Sequence, residues 1–141
     1  MLAALGFEAY GVDSNFDAVL NASRDAAKQG LVLRGWCADL TVSALPRGRF
    51  ALVVVTRYLQ RNLMAAIGEA LVPGGVVIYE TFTVNQRVHG TGPTSAHHLL
   101  EGGELGARFS EFEILSYEEV SAPEAVARLV ARRPTSSKTR N

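Results

Sequence analysis

The chain has 141 residues with 14 basic and 14 acidic side chains, so its formal net charge is zero. This length fits one domain, and the 48% hydrophobic content indicates a globular protein and argues against intrinsic disorder. The charge balance argues against a dedicated nucleic-acid binder, and apolar runs such as Ala51 to Val55 are far shorter than the ~20 residues of a membrane-spanning helix.

Cysteine content and the first residues bear on the compartment. The single cysteine, Cys37, cannot form an internal disulfide, which fits a reducing compartment, and we expect a small buried side chain there. Residues 1–11 show no basic residue before an apolar stretch and no typical cleavage site, which argues against a secretory signal. We therefore expect a cytoplasmic domain that takes a small-molecule substrate and binds neither nucleic acid nor membrane; the oligomeric state stays open.

Strand-like and helix-like segments alternate along the chain, which predicts an α/β domain with a mostly parallel sheet. The first predicted elements are a strand over residues 8–12, a helix over residues 16–28 and a strand over residues 31–36. Ser14 or Asn15 can cap the helix, because a side-chain oxygen there accepts from a free N–H group of the first turn. Gly30 supplies a left-handed end to the same helix.

The second half predicts more strands and two helices. The strands cover residues 50–55, 76–82, 112–117 and 125–132, with helices at 59–71 and 104–109. The continuous apolar run at 50–55 is typical of a central parallel strand buried on both faces. Pro73-Gly74-Gly75 predicts a turn between helix and strand, and Pro46-Arg47-Gly48 predicts another turn. The last two strands predict an antiparallel hairpin at the end of the sheet.

Residues 83–98 have no periodicity and include His89, His97 and His98. A loop of this length is uncommon unless it is functional or disordered, and we predict a lid over a substrate. A metal site is disfavoured, because no Cys or His cluster has the usual ligand spacing. Residues 134–141 are polar and rich in helix breakers, and we predict a disordered tail after a domain at 1–133.

Two acidic residues follow predicted strands. Asp13 ends the first strand and Asp39 follows the second. In open parallel sheets ligands bind outside the carboxyl ends of the strands, where a carboxylate accepts hydrogen bonds from ribose hydroxyls. Asp13 therefore suits a ribose and Asp39 the exocyclic amine of an adenine. The alternatives are a helix-capping role for Asp13 and a turn-forming role for Asp39.

Together with these acids, the segment Leu71-Val72-Pro73-Gly74-Gly75 resembles the class I S-adenosylmethionine-dependent methyltransferases. Their signature has an acid after the second strand, an Asp before the fourth and a Leu-x-Pro-Gly-Gly turn into the fifth. The final hairpin also matches, whereas nicotinamide-binding Rossmann sheets are all parallel. The resemblance covers Phe7 to Arg133. Stretches that resemble the tellurite-resistance-type branch are residues 79–83, 92–93, 98–100, 103–105, 117–119 and 127–132.

The family's glycine-rich G-x-G-x-G loop after the first strand has no counterpart in this sequence. Met1 to Leu5 resembles the end of the helix that follows that loop. We therefore expect a Rossmann-like methyltransferase fold that is truncated at its N-terminus. We also expect these 141 residues alone to bind S-adenosylmethionine poorly, because strand pairing and backbone N–H groups for the cofactor are lost.

The resemblance implies S-adenosyl-L-methionine as cofactor and methyl transfer to a small polar acceptor, tellurite or a related oxyanion included. The predicted cofactor-binding residues are Asp13, Ser14, Ala38, Asp39, Leu40 and Thr56. The predicted acceptor-binding residues are Arg57, Tyr58, Glu80 and His89. Catalytic residues are unassigned, because the sulfonium already activates the methyl group and positioning contributes most of the rate.

Alternatives remain open for residues and for function. Tyr58 is equally an aromatic side chain at the edge of the core, and Glu80 is alternatively the structural ion-pair partner of Arg57. The alternative functions are a non-catalytic scaffold with the same fold and a nicotinamide-dependent oxidoreductase domain. Titration with S-adenosylhomocysteine and with NAD distinguishes the three.

Overall fold

The computed structural model describes residues 1–135, and residues 136–141 lie outside the described part. Two compact units make up the chain, Met1–Ala44 and Leu45–Asn141, which we call unit 1 and unit 2. Each unit has its own β-sheet. The predicted tail therefore lies outside the described residues from position 136 onward.

Unit 1 is a βαβ unit preceded by a short 3-10 helix at Ala3–Leu5. Its elements are β1 (Ala9–Asp13), α1 (Phe16–Lys28) and β2 (Leu33–Cys37). The strands pair in parallel, from Ala9 opposite Leu33 to Asp13 opposite Cys37. The predicted helix is confirmed at both ends: the Asn15 side chain caps it by accepting from the Ala18 N–H at 3.1 Å, and Gly30 is left-handed with φ 70°.

Unit 2 contains a four-stranded mixed sheet with helical segments. Its strands are β3 (Phe50–Thr56), β4 (Leu71–Phe82), β5 (Glu113–Val120) and β6 (Val126–Arg132), and its α-helices are α2 (Met64–Ala70) and α3 (Glu104–Arg108). The strand order is β3-β4-β6-β5; β3 runs parallel to β4, and β6 runs antiparallel to both of its neighbours. The predicted antiparallel hairpin of the last two strands is confirmed.

Two details of the strands differ from prediction. The prediction that β3 is a central strand buried on both faces is wrong, because none of its residues is buried and it pairs with β4 alone among the described strands. Its residue Val54 is 37% exposed. The Pro73-Gly74-Gly75 segment lies inside β4 as a bulge, because Gly74 donates to the Arg133 carbonyl and Arg133 donates to the Gly75 carbonyl.

The sequence between β4 and α3 contains short helices and is not an irregular loop, while its role as a lid stays a prediction. It forms 3-10 helices at Val84–His89 and Ala96–His98, and Leu99 and Leu100 are completely buried. The buried Gln86 side chain accepts from the Ala125 N–H at 2.7 Å and donates to the Thr91 carbonyl at 3.1 Å. These contacts fasten both ends of the predicted lid to the sheet. Among the described residues, no helix combines the length and apolarity that a membrane crossing requires.

Gly75 occupies a position where a side chain has no room. A Cβ atom there would lie 2.9 Å from the Val72 carbonyl oxygen and 3.1 Å from the Phe50 carbonyl oxygen. Because both neighbours are backbone atoms, we expect Gly75→Ala to lower the free energy of unfolding by about 1–3 kcal/mol, as overpacking does. Urea denaturation followed by circular dichroism measures this change.

Gly106→Ala is the matched control, since its nearest neighbour would be Tyr117 at an ordinary 3.6 Å and the position is helical. We expect Gly106→Ala to leave stability unchanged or to raise it slightly. Equal destabilisation by the two variants would contradict this explanation.

Candidate functional site

In unit 1, the carboxyl ends of β1 and β2 bring the predicted cofactor residues onto one edge of the small sheet. We call this the unit 1 edge (Asp13, Ser14, Ala38, Asp39 and Leu40). Since the strands are parallel and in register, Asp13 lies opposite Cys37, and the Ala38 N–H donates to the Asp13 carbonyl at 3.0 Å. The two acids therefore follow neighbouring strand ends, as the sequence predicts.

Each of these carboxylates is oriented by its own turn. Asp13 Oδ1 accepts from the Asn15 N–H at 2.8 Å. Asp39 Oδ1 accepts from the Thr41 hydroxyl at 2.6 Å and from the Thr41 N–H at 2.9 Å. The Thr41 hydroxyl and then its N–H lower the pKa of Asp39 below its ordinary value. The turn-forming interpretation is thus correct for Asp39, while the helix cap is Asn15 rather than Asp13.

The second oxygen, Oδ2, of each carboxylate accepts no hydrogen bond from residues 1–135. Both side chains are exposed. An oriented carboxylate with one unused oxygen suits a ligand that donates, such as a hydroxyl or an exocyclic amine. A depression of about 160 Å³ beside Asp13 is lined also by Val12, Ala18 and Gly35, and it is smaller than pockets that enclose drug-sized ligands.

Cys37 is exposed, so the prediction that it is a buried structural side chain is wrong. It is the last residue of β2, where its Sγ atom lies 3.6 Å from the Ser14 carbonyl oxygen, and apolar packing does not cover it. Cys37 is exposed because of its position at the end of the strand, although cysteine is usually a buried residue type.

In unit 2, three of the four predicted acceptor residues and the predicted cofactor residue Thr56 lie where β3 and β4 approach their carboxyl ends, whereas His89 lies in the 83–98 segment. We call this the unit 2 edge (Thr56, Arg57, Tyr58 and Glu80). Thr56 lies opposite Glu80 in the parallel register, and the Arg57 N–H donates to the Glu80 carbonyl at 2.8 Å. The Tyr58 side chain is 41% exposed and donates to Gln60 Oε1 at 2.5 Å. The buried Tyr79 hydroxyl donates to the Tyr58 carbonyl at 2.7 Å, which fixes the backbone there.

The alternative that Glu80 pairs with Arg57 is wrong. Glu80 Oε2 accepts from Arg128 Nε at 2.5 Å, and Arg128 also donates to Glu118 at 3.0 Å. The three side chains occupy one cross-strand row of β4, β6 and β5, where Arg128 lies opposite Glu80 on one side and Glu118 on the other. Arg57 instead contacts Glu124, with Nη2 at 2.7 Å from Oε2 and Nη1 at 3.3 Å from Oε1.

The histidines occupy the surface of the 83–98 segment. His89 is exposed, and its Nε2 lies 2.6 Å from the Ser121 carbonyl oxygen, to which it donates when protonated there. His97 and His98 are also exposed. Residues 1–135 hold no group of three or more His, Cys, Asp or Glu side chains that could bind a metal ion.

Comparison with known proteins concerns the fold. No family model matches the sequence, and no curated protein matches it either. A SAM-dependent methyltransferase from Methanosarcina mazei superposes with a TM-score of 0.71 at 18% identity, over 96% of this chain and 86% of its own. TehB from Haemophilus influenzae superposes with a TM-score of 0.71 at 15% identity, over 94% of this chain and 52% of its own. The fold is the Rossmann-like methyltransferase fold.

The same fold also carries other chemistry. The [4+2]-cyclase SpnF superposes with a TM-score of 0.72 at 17% identity, over 90% of this chain. This chain spans 66% of the length of SpnF and 52% of that of TehB. At sequence identities this low, structural similarity shows the methyltransferase fold alone. The reaction has to be argued from the residues of the site. The finer resemblance to the tellurite-resistance-type branch stays a prediction.

Sequence reasoning missed two residues that shape the unit 2 edge of this methyltransferase fold. Glu124 and Arg128 each hold one of the predicted acceptor residues. Arg128 could have been found from the sequence, because it is a charged residue within the alternating pattern that predicts β6. Glu124 gave no signal, since it lies in the connection between β5 and β6 and its partner is 67 residues away.

Proposed function

We propose that this chain carries residues that bind the adenosine part of S-adenosyl-L-methionine, weakly in these 141 residues alone, and serves the transfer of the methyl group to a small polar acceptor. The observation that carries the proposal is the pair Asp13 and Asp39, at the carboxyl ends of adjacent parallel strands, each with one oxygen anchored and one unused. The methyltransferase-like fold supports it. A reducing, cytoplasmic location agrees with the single cysteine and stays a prediction.

The residues of the unit 1 edge fit the adenosine part of this cofactor. Ribose hydroxyls and the adenine amine are donors, and the unused oxygens of Asp13 and Asp39 are acceptors. We assign Asp13 to the ribose and Asp39 to the adenine amine, with Ser14, Ala38 and Leu40 flanking them. The sequence has no G-x-G-x-G run to hold the methionine part.

The residues of the unit 2 edge have a binding role in this proposal. We assign Tyr58 and Glu80 to the acceptor. Glu80 Oε1 accepts no hydrogen bond from residues 1–135, so it is available to a donor on the acceptor molecule. The bound cofactor supplies an activated methyl group on a sulfonium, and the protein contributes by holding the acceptor in line.

Calorimetric titration with S-adenosylhomocysteine tests this function through Asp13→Asn and Asp39→Asn. An asparagine keeps the oxygen that orients the side chain and replaces the unused oxygen with an N–H₂ group. We expect each variant to weaken binding about tenfold or more, the scale of a hydrogen bond to a charged group. The measurement is the dissociation constant relative to the unmodified chain.

Asp17→Asn is the matched control, because Asp17 lies in the first turn of α1 and carries the same charge. We expect it to leave the affinity unchanged. If Asp17→Asn also lowered the affinity, the effect of Asp13→Asn and Asp39→Asn would be explained by the change in net charge and not by direct contact with the ligand. Binding of NAD alone would favour the oxidoreductase alternative, whereas binding of neither ligand by these 141 residues fits both the scaffold and the weak affinity expected from the sequence.

A further inference from the structure

The guanidinium of Arg57 is occupied within unit 2. It makes two contacts with the Glu124 carboxylate, at 2.7 and 3.3 Å, in the fork geometry of an arginine–carboxylate pair. Its carbon Cζ lies 5.1 Å from the centroid of the Phe82 ring. Among the residues that the structure describes, Arg57 is the non-glycine residue whose backbone is left-handed, with φ 53°. Backbone, ring and carboxylate together fix where this cation points.

Arg128, a cation close to the unit 2 edge, is neutralised in the same way. Arg128 is held by Glu80 and Glu118, so the ion pairs of Arg57 and Arg128 together contain three carboxylates, Glu80, Glu118 and Glu124, against two guanidiniums. An anion that approaches Arg57 must displace a tethered carboxylate and meets an excess of negative charge. Juxtaposed like charges are an effective means of rejecting a ligand.

We infer that Glu124 is a specificity-determining residue that keeps oxyanions off Arg57 and restricts the acceptor to neutral or cationic molecules. The inference rests on the proposed function to the extent that the unit 2 edge is taken as the acceptor site. It opposes a tellurite-type acceptor, because Glu124 already occupies the cation that would hold one.

Sulfate binding followed by NMR at the Arg57 Nε–H resonance tests the inference, with chloride used to keep ionic strength constant. In the unmodified chain we expect no saturable shift of this resonance. In Glu124→Gln, which keeps the side-chain size and removes the charge, we expect a saturable shift, with an apparent affinity for sulfate at least about fivefold above the upper limit set by the unmodified chain. This is the scale of one exposed charge pair.

Glu118→Gln is the matched control, since it removes a carboxylate from the same face and leaves the Arg57 pair intact. We expect no gain of sulfate binding at Arg57 in this variant. Should Glu124→Gln fail to fold, Glu124→Ala takes its place, with thermal unfolding as the check of folding.

Three outcomes would overturn the inference: saturable sulfate binding at Arg57 in the unmodified chain, no gain in Glu124→Gln, or an equal gain in Glu118→Gln. None of them depends on the cofactor. Failure of the proposed function shows separately, as absence of S-adenosylhomocysteine binding in calorimetry.

Discussion

Tyr79→Ala is expected to lower the free energy of unfolding by about 3–5 kcal/mol, as removal of a buried aromatic side chain does. Tyr79 lies in the middle of β4 and is completely buried. Its ring packs at a tilt against Phe109, with centroids 6.3 Å apart. The substitution leaves a cavity between the sheet of unit 2 and the segment around α3. Urea denaturation followed by circular dichroism measures the loss.

Tyr79→Phe separates the packing of the ring from its hydroxyl. Burial raises the pKa of the Tyr79 hydroxyl, so it stays a protonated donor to the Tyr58 carbonyl at ordinary pH. We expect Tyr79→Phe to cost about 1 kcal/mol, the net value of one hydrogen bond. A loss in Tyr79→Phe as large as in Tyr79→Ala would show that the hydroxyl, and not the packing, dominates.

The second large effect is a loss of stability in acid that depends on Glu104. Its carboxylate accepts from Arg61 at 2.5 and 3.0 Å and from the Glu101 N–H at 2.9 Å. Arg61 also donates to the Leu99 carbonyl at 2.8 Å. The pKa of Glu104 is lowered from 4.5 to about 2, and the hydrogen bonds from Arg61 are the largest cause. This pair fastens α3 to the 3-10 helix Arg61–Leu63, which precedes α2, and to the 96–99 segment.

The direction of the pH dependence follows from the lowered pKa. The stabilisation is fully present above pH 4.5, the pKa of the unfolded chain, and is lost as the pH falls from there to about 2. We expect this pair to contribute about 2 kcal/mol at neutral pH, a value reduced by solvent screening of the partly exposed Arg61. Urea midpoints measured from pH 7 down to pH 2 follow the loss.

Glu104→Gln should remove most of this pH dependence and lower stability at pH 7, because the buried side of Arg61 loses its counter-charge. Glu113→Gln is the control, since Glu113 forms an exposed 3.4 Å pair with Arg132 and should change stability by less than about 0.5 kcal/mol. An unchanged acid profile in Glu104→Gln would assign the loss to other carboxylates.

Local sequence determined the elements of unit 1. Helix α1 begins and ends where the sequence predicts, because Asn15 and Gly30 act on their own backbone neighbourhood. The strand ends that carry Asp13 and Asp39 follow from the same local pattern, as does the polar turn chemistry of Asp39. Assignment of these acids to a cofactor stays a prediction, because it depends on a ligand and not on the chain alone.

The tertiary structure decided burial and pairing in unit 2. The apolar run of β3 indicates a strand but does not reveal how many neighbours it has, and in the described residues it has one, β4. Pro73-Gly74-Gly75 predicts a turn, whereas pairing of the flanking Leu71 with Phe50 and hydrogen bonds to Arg133 make it a bulge within β4. Both outcomes depend on residues far away in the sequence.

The partners of the charged residues at the unit 2 edge were decided in the same way. Arg57 and Glu80 are neighbours in the register, yet Arg57 pairs with Glu124 and Glu80 with Arg128. Ion pairs form between side chains on the same face of a sheet, and the antiparallel return of β6 brings these partners there. The sequence by itself therefore predicted Arg57, Tyr58 and Glu80 at this edge, and only the tertiary structure decided which of their charges are already paired with Glu124 and Arg128.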